Sequence, residues 1–422
     1  MMRVALALLL GLSLAVGGSP DAWAKDGDKQ SKASKAAAKK NRKNFAVSEW
    51  AYKRLNKAHE LLADEKYDEA VGPLKELERR KSTSAHERAL TWQTYAYIHS
   101  SQGHYEKAIG AFEKCLAQDA LPEATRLSTL YNIGQLYLSV DRFKEAVSTF
   151  ESWLSQVENP AASAYYLVAV AHMQGGDIKK ARPYARKAVG RAGRPVESSL
   201  QLLLAIEFEL KNYKQVERVL EALVTYFPKK AYFTQLSAIY GELGKEKRAL
   251  AVLELAYVQD LLARESELVN LAQRYLHHEV PYRGARVLAK GLDEGIITNT
   301  SENWELLSNA WLQARENDEA VGPLERAAAL SADGDLFVRL AQVHLEREDS
   351  TAALKALRKA LEKGKLAEPG KAQLLRGIAF SGSKQFGPAR TALTAAQKYE
   401  KSRHQAQQWM AHVESQEAAA IH

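Results

Sequence analysis

The stretch that decides the fold is Leu130–Leu154, LYNIGQLYLSVDRFKEAVSTFESWL, in which Gly134 precedes Ala146 by twelve positions. The same spacing between a small residue and an alanine recurs along most of the 422-residue chain. Its other occurrences are Ala58/Ala70, Ala96/Ala108, Ala169/Ala181, Ser237/Ala249, Ser308/Ala320, Ala341/Ala353 and Gly377/Ala389. Successive second members, with Val216 and Ala285 filling two gaps, lie 33 to 38 residues apart. A period of about 34 residues is typical of stacked helix pairs, with small residues where the two backbones approach.

The pattern therefore predicts an all-α solenoid of about ten helix–turn–helix repeats, because no segment shows the alternating apolar pattern of strands. Two repeats depart from it. Repeat five has Leu204 and Val216 at the two small positions, and repeat seven has Gln273 and Ala285. We expect the helices of these repeats to lie slightly further apart. On this basis we predict two arms of repeats, the first over 46–263 and the second over 264–400, with a bend near 264–300. A capping helix and the C-terminus follow over 401–422.

The repeats resemble the tetratricopeptide repeat, which has a bulky residue, Leu, a small residue and Tyr on its first helix. Repeat three carries this order as Leu130, Ile133, Gly134 and Tyr137, and repeat eight as Trp304, Leu307, Ser308 and Trp311. The resemblance covers about 350 residues. It implies a right-handed superhelix whose first helices line a concave face that binds peptide segments of other proteins.

Under this resemblance, the positions one and five after the first bulky residue of each repeat point into the groove. Tyrosine and glutamine are frequent there in the first half of the chain, and tyrosine offers both contact area and a hydroxyl. The Lys and Asn pattern with which some family members clamp a terminal carboxylate is absent. Packing between repeats is the competing interpretation of each aromatic residue. The predicted groove residues are Gln93, Tyr97, Tyr131, Gln135, Tyr166, Met173, Gln201 and Phe208, with Glu305 and Asn309 near the far end.

Residues 1–24 form a predicted secretory signal, with Arg3, an apolar run over 4–16 and an Ala22-Trp23-Ala24 cleavage site. This signal would direct export of the protein to the periplasm and would be cleaved after Ala24. Residues 25–44 hold eight Lys or Arg and two Asp, which accounts for six of the eight net positive charges. This composition predicts a disordered tail over 25–45 that acts either as a solvated spacer or as a contact with an anionic membrane surface. We expect no nucleic-acid binding, because the basic stretch does not continue into the repeats.

No phosphate-binding, nucleophile-elbow, zinc-protease or haem-attachment motif occurs in the chain. His277, His278 and Glu279 combine metal-ligand residue types, but adjacent helical histidines diverge, so a solvated helix end is favoured over a metal site. Cys115, the only cysteine, falls on a packing face, and His99, His172 and His344 share the position of Tyr137. The sequence thus predicts a non-enzyme that needs no cofactor or metal.

Several runs, among them SEWAYKRLNKAHELLADEKYDEA and QLSAIYGELG, look like exported tetratricopeptide proteins associated with TonB systems. That resemblance implies work beside the TonB, ExbB and ExbD complex in the uptake of iron chelates through outer-membrane receptors. The alternative is a periplasmic scaffold for envelope assembly that binds cell-wall enzymes or outer-membrane assembly factors.

Overall fold

The computed structural model describes residues 45–421, so the predicted signal over 1–24 and the basic tail over 25–44 lie outside the described residues. Within this range the chain is all-helical and has no strand, as the sequence predicted. The 21 helices are α1 (Glu49–Ala63), α2 (Tyr67–Arg79), α3 (Ala85–Ser101), α4 (Tyr105–Leu116), α5 (Glu123–Ser139), α6 (Phe143–Leu154), α7 (Ala162–Gln174), α8 (Ile178–Arg191), α9 (Glu197–Glu209), α10 (Tyr213–Tyr226), α11 (Lys230–Glu242), α12 (Glu246–Val258), α13 (Glu265–His277), α14 (Pro281–Asp293), α15 (Ser301–Gln313), α16 (Asn317–Leu330), α17 (Asp335–Glu346), α18 (Ser350–Lys363), α19 (Pro369–Gly382), α20 (Phe386–Gln397) and α21 (Glu400–Ile421).

Helices α1 to α20 form ten successive pairs, and each pair contains one of the predicted twelve-residue spacings. The small residues at these positions are buried, and Ala58, Ala70, Ala320 and Ala353 have no exposed surface. In two repeats the first small residue is a serine whose hydroxyl bonds the other helix of the pair. In one of these repeats the Ser237 hydroxyl donates to the Ala249 carbonyl at 3.0 Å. A large side chain at these positions would push the two backbones apart.

The turn inside each pair has one geometry. The residue seven positions after the first small residue has a left-handed backbone in all ten repeats, with Asp141 at φ 58° and Gly176 at φ 85°. The next residue closes the helix through its N–H, as in the 2.9 Å bond from Arg142 to the Tyr137 carbonyl. This is the Schellman ending, which satisfies carbonyls that a helix terminus otherwise leaves without partners. In the other eight of these turns the left-handed residues are Glu65, Gly103, Lys211, Gly244, Glu279, Arg315, Glu348 and Lys384.

The structure corrects the assignment of repeat seven. Gln273 is exposed, whereas Ala272 is fully buried, so the close approach occurs one residue earlier than predicted. A Cβ added at Gly284 would stand 3.0 Å from the Ala272 carbonyl oxygen, which makes Ala272 and Gly284 the true pair. The second small position of the other repeats is usually alanine. Ala285 has that residue type, but it lies next to the contact and does not make it. Repeat seven therefore keeps the regular spacing.

Polar side chains join one repeat to the next. The Tyr137 hydroxyl donates to Glu113 on the preceding second helix at 2.8 Å, and His172 Nε2 lies 3.2 Å from Glu151 Oε1. Tyr240 and Glu221 repeat the arrangement at 2.7 Å. His172 is buried, as the predicted packing role requires, but it also belongs to this hydrogen-bonded series.

The chain divides into two compact units, with the boundary between Val219 and Leu220 inside α10. In the first unit, one buried cluster extends from Ala51 to Ala171. In the second, a cluster from Phe233 to Ala320 includes the residues on either side of position 264. The predicted bend near 264–300 stays a prediction, as does the wider helix spacing in repeat five.

The C-terminal helix α21 covers the end of the last pair, as predicted. Ala406 and Val413 are fully buried against Leu393 and Ala396 of α20, with Trp409 packed beside them. The cap is also held by a 2.9 Å hydrogen bond from the Ser381 hydroxyl to Gln416. Because a solenoid's last repeat otherwise exposes its apolar face, this helix completes the core of the final repeat.

Glu87 joins the first two repeats through a network at the start of α1 and α3. Its carboxylate accepts hydrogen bonds from the Ser48 amide at 2.8 Å, the Ser48 hydroxyl at 2.6 Å and the Ser84 amide at 2.7 Å. Burial alone would raise the pKa of Glu87, but these donors outweigh it and lower the pKa to about 2. The ionised carboxylate therefore caps two helices at once.

The first prediction concerns the Ser308 hydroxyl, which donates to the Ala320 carbonyl at 3.0 Å from a fully buried position. Ser308→Ala should lower the free energy of unfolding by about 1 kcal/mol through loss of one hydrogen bond. Ser308→Leu should cost clearly more, about 2–3 kcal/mol, because the side chain overfills the helix contact. Urea unfolding followed by circular dichroism measures both, and equal stability of the two variants would contradict the close-approach argument.

The second prediction concerns pH. Because the folded pKa of Glu87 lies below the unfolded value, its contribution is present above about pH 4.5 and is lost as pH falls towards 2. Glu87→Gln should therefore cost up to about 3 kcal/mol at pH 7. The difference between wild type and variant should shrink over the same acidic range. Glu69→Gln is the control, because it removes the same charge from an exposed position. The difference in unfolding free energy between wild type and this variant should not depend on pH in this way.

Candidate functional site

The eight predicted groove residues lie on four successive first helices of the first unit, two each on α3, α5, α7 and α9. All eight are half-buried, so each contributes to the core while keeping part of its side chain at the surface. We call this set the groove wall: Gln93, Tyr97, Tyr131, Gln135, Tyr166, Met173, Gln201 and Phe208.

The tyrosines of the groove wall are packed on the second helix of their own repeat. The Tyr97 ring meets Phe112 edge to face at 5.4 Å between centroids, and Tyr131 meets Phe150 in the same way at 5.7 Å. Tyr131 also lies 5.0 Å from Trp153. Burial raises the pKa of both tyrosines, which keeps their hydroxyls protonated as hydrogen-bond donors. The packing interpretation therefore accounts for the rings, and a ligand could contact only the part of each side chain that stays exposed.

Polar contacts connect consecutive first helices along the groove wall. His59 Nε2 lies 3.0 Å from the Thr94 hydroxyl, and Gln93 Nε2 donates to the Thr129 hydroxyl at 3.4 Å. Ser163 on the next first helix opposes the rise in the pKa of Tyr131 that burial causes. The two hydrogen bonds join α1 to α3 and α3 to α5, so they connect the first two of the four helices that carry the groove wall. Sequence reasoning did not single out His59, Thr94 or Thr129, because their partners are 35 or 36 residues away.

The residues weighed for chemistry occupy structural positions. Cys115 is fully buried, and burial raises the pKa of its thiol to about 12, so the reactive thiolate is disfavoured. His277 and His278 stand at the end of α13, where Glu279 takes the left-handed turn conformation. Among residues 45–421 no group of three or more His, Cys, Asp or Glu side chains could hold a metal ion. None of the helices in this range combines the length and apolarity needed to cross a bilayer.

A second surface, in the second unit, was not found from the sequence. Between α14 and α16 there is a cleft of about 1320 Å³ with α15 at its floor. Tyr282 and Trp311 lie edge to face there, with 5.4 Å between ring centroids. We call it the aromatic cleft; its floor is Trp304, Leu307 and Trp311, and its sides include Tyr257, Tyr282, Arg286, Lys290, Glu316, Glu319 and Arg326. The available signal was Tyr282, an aromatic residue on a second helix directly after the Pro281 that begins it.

Two segments of the chain match family models for the tetratricopeptide repeat, over residues 89–120 and 131–195. These segments contain α3 and α4, then α5 to α8. Each model therefore covers helix pairs that carry the twelve-residue spacing. No curated protein matches the chain.

Three solved structures illustrate what the chain is similar to, and two of them are described as tetratricopeptide proteins. A tetratricopeptide repeat protein from Parabacteroides merdae is 15% identical over 71% of this chain and all of its own, with a TM-score of 0.38. YrrB, described as a tetratricopeptide protein with an unusual peptide-binding site, is 20% identical over 43% of this chain and 88% of its own, with a TM-score of 0.35. The Cut9–Hcn1 hetero-tetramer of APC/C is 14% identical over 90% of this chain and 92% of its own, with a TM-score of 0.28. Residues 89–120 and 131–195 are therefore tetratricopeptide repeats, and the ten helix pairs of the described chain carry the same spacing. The tetratricopeptide repeat is typical of protein–protein interaction scaffolds.

Proposed function

We propose that this chain is an exported, non-enzymatic scaffold whose groove wall binds a segment of a protein partner. The observation that carries the proposal is the position of eight half-buried side chains on four consecutive first helices, with hydrogen bonds joining α1 to α3 and α3 to α5. A rigid row of partly exposed Tyr and Gln suits a peptide held by stacking and by hydrogen bonds, because little ordering is lost on binding. The export signal over 1–24 is the basis for placing this scaffold in the periplasm.

The finer proposal is that the partner belongs to the TonB, ExbB and ExbD machinery and that the chain assists TonB-dependent transport of iron chelates. The support for it is the resemblance of the runs around residues 48–70 and 235–244 to exported tetratricopeptide proteins of such systems. In the same proposal, the basic residues 25–44 keep the protein near an anionic membrane surface. A scaffold for envelope assembly is the competing outcome of the test below.

Crosslinking from a single wall position tests the proposal. A photoreactive amino acid at Gln135, which is half-buried on α5, should capture a partner in the cells that produce the protein. The matched control places the same amino acid at Lys144, an exposed position on the second helix of the same repeat. We expect partner capture from Gln135 and not from Lys144, and identification of the captured protein by mass spectrometry.

Two outcomes contradict different parts of the proposal. Capture from Lys144 alone, or from neither position, would show that the wall is not the binding surface. Capture from Gln135 of cell-wall enzymes without any TonB-system component would leave the scaffold in place and overturn the transport role.

Substitutions of Tyr131 separate binding from stability. Tyr131→Phe keeps the contacts with Phe150 and Trp153 and removes only the hydroxyl, so the free energy of unfolding should change by less than about 1 kcal/mol. Tyr131→Ala removes those contacts and should cost about 2–4 kcal/mol. If the hydroxyl binds the partner, Tyr131→Phe should lower capture from Gln135 at unchanged helical content in circular dichroism. Undiminished capture would assign Tyr131 to packing alone.

A further inference from the structure

The aromatic cleft is larger than a typical small-molecule site. Its volume of about 1320 Å³ exceeds the roughly 300–1,000 Å³ of most ligand pockets. Its two sides are the second helices α14 and α16, and its floor comes from the first helix between them, α15. These dimensions suit a chain-like ligand lying between the two helices.

Aromatic rings are concentrated at the floor and on one side of the cleft. Tyr282 packs against Trp311 and still exposes 48% of its surface. The Arg326 guanidinium lies 4.5 Å from the centre of the Trp304 ring, and Lys290 Nζ lies 5.6 Å from that of Tyr257. Each cation stands over a ring face, where the π electrons attract it. A ligand entering the cleft therefore meets both ring surface and charge.

The two sides carry an excess of opposite charge, and these charges do not pair across the cleft. Arg286 and Lys290 outnumber Asp293 on α14, and Glu316 and Glu319 outnumber Arg326 on α16 and the turn before it. In the described chain no ion pair within 4.0 Å crosses the cleft, and Lys290 pairs only with Glu294 on its own side, at 3.7 Å. Charges that face a common space without meeting are available to a ligand that carries both signs.

Exposed apolar side chains also collect on this part of the second unit. Tyr282 and Leu330, which exposes 50% of its surface, belong to the cleft itself. Leu255 and Val258 are exposed on α12, the second helix that also carries Tyr257 of the cleft. The second helices of a solenoid usually present polar residues to solvent, so an apolar group here indicates an interaction surface.

We propose that the aromatic cleft binds a peptide segment of a protein partner, in which an aromatic or large apolar side chain stands between an acidic and a basic residue. The apolar side chain would pack on the exposed part of the Tyr282 ring. The acidic residue would meet Arg286, and the basic residue would meet Glu319. A neutral glycan would use the rings but not the opposed charges, so the charge pattern favours a peptide. The site is separate from the groove wall and does not rest on its role.

The probe is a displayed library of random twelve-residue peptides selected on the purified full chain. Peptides that also bind a Tyr282→Ser variant are removed; Tyr282 is half exposed, so this variant should fold. We expect enrichment of sequences in which an aromatic residue lies between charges of opposite sign. A library that yields no peptide dependent on Tyr282 would overturn the proposal.

Charge reversal then tests the two sides of the cleft with one enriched peptide, labelled for fluorescence anisotropy. Arg286→Glu and Glu319→Lys should each weaken its binding by about tenfold or more, since each opposes a ligand charge. A peptide with its acidic and basic residues exchanged should bind the double variant within about threefold of the original pair. Lys355→Glu is the control, because Lys355 is exposed at the position of α18 that corresponds to Arg286.

Three results would count against the cleft as a peptide site. One is equal loss of binding in Lys355→Glu and Arg286→Glu, which would indicate a nonspecific charge effect. Another is unchanged binding in both cleft variants. The third is tight binding of a neutral oligosaccharide such as chitohexaose that is lost in Tyr282→Ser but kept in the charge variants, which would assign the cleft to glycans.

Discussion

The close approach of two helix backbones at residues twelve positions apart is the constraint on which the rest of this structure depends. A small residue on each helix lets the backbones meet, and Ser308 uses its hydroxyl to bond the Ala320 carbonyl across the contact. The left-handed turn seven residues after the first small position returns the chain at the distance that this contact needs. With both ends of the hairpin determined, every first helix presents the same positions to its neighbours.

The two proposed binding surfaces use the positions that this constraint leaves free. In the first unit, Tyr and Gln occupy the wall of successive first helices, where contacts with Phe112 and Phe150 hold the rings still. In the second unit, aromatic residues instead gather between second helices, around Tyr282 and Trp304. The same helical hairpin therefore offers two chemically different surfaces, one on first helices and one between second helices. A scaffold of this kind has room for more than one partner segment.

The fold could be predicted from the sequence because its signal is local and repeated ten times. The error in repeat seven has a simple origin: Gly284 makes the contact, and the neighbouring Ala285 satisfied the expected residue type. Glu279, seven residues after Ala272, has the positive φ that marks the turn of repeat seven. The sequence does not reveal this conformation, because the position holds a glutamate and not a glycine.

The sites were harder to predict, because they depend on distances between repeats. Groove positions followed from helix periodicity, but the bond between Gln93 and Thr129 joins residues 36 positions apart. Contacts such as Tyr137 with Glu113 could not be anticipated, since glutamates are common on every exposed helix face. The aromatic cleft required knowledge of how far apart α14 and α16 stand. That distance is a property of packing rather than of any motif.

The hydrogen bonds between repeats also decide the order in which the repeats can be assembled. At four junctions a glutamate on a second helix accepts from Tyr or His on the next first helix, but Arg186 meets the buried Glu207 at 3.1 Å. At this junction the glutamate lies on the first helix, and its partner on the preceding second helix is an arginine. A chain rearranged so that Arg186 faced Tyr240 would leave a cation beside a hydroxyl, and Glu207 without its arginine would be a buried, uncompensated charge. The repeats are thus alike in shape, but their contact surfaces differ. Exchanging, duplicating or deleting a repeat would bring together surfaces whose polar groups do not match.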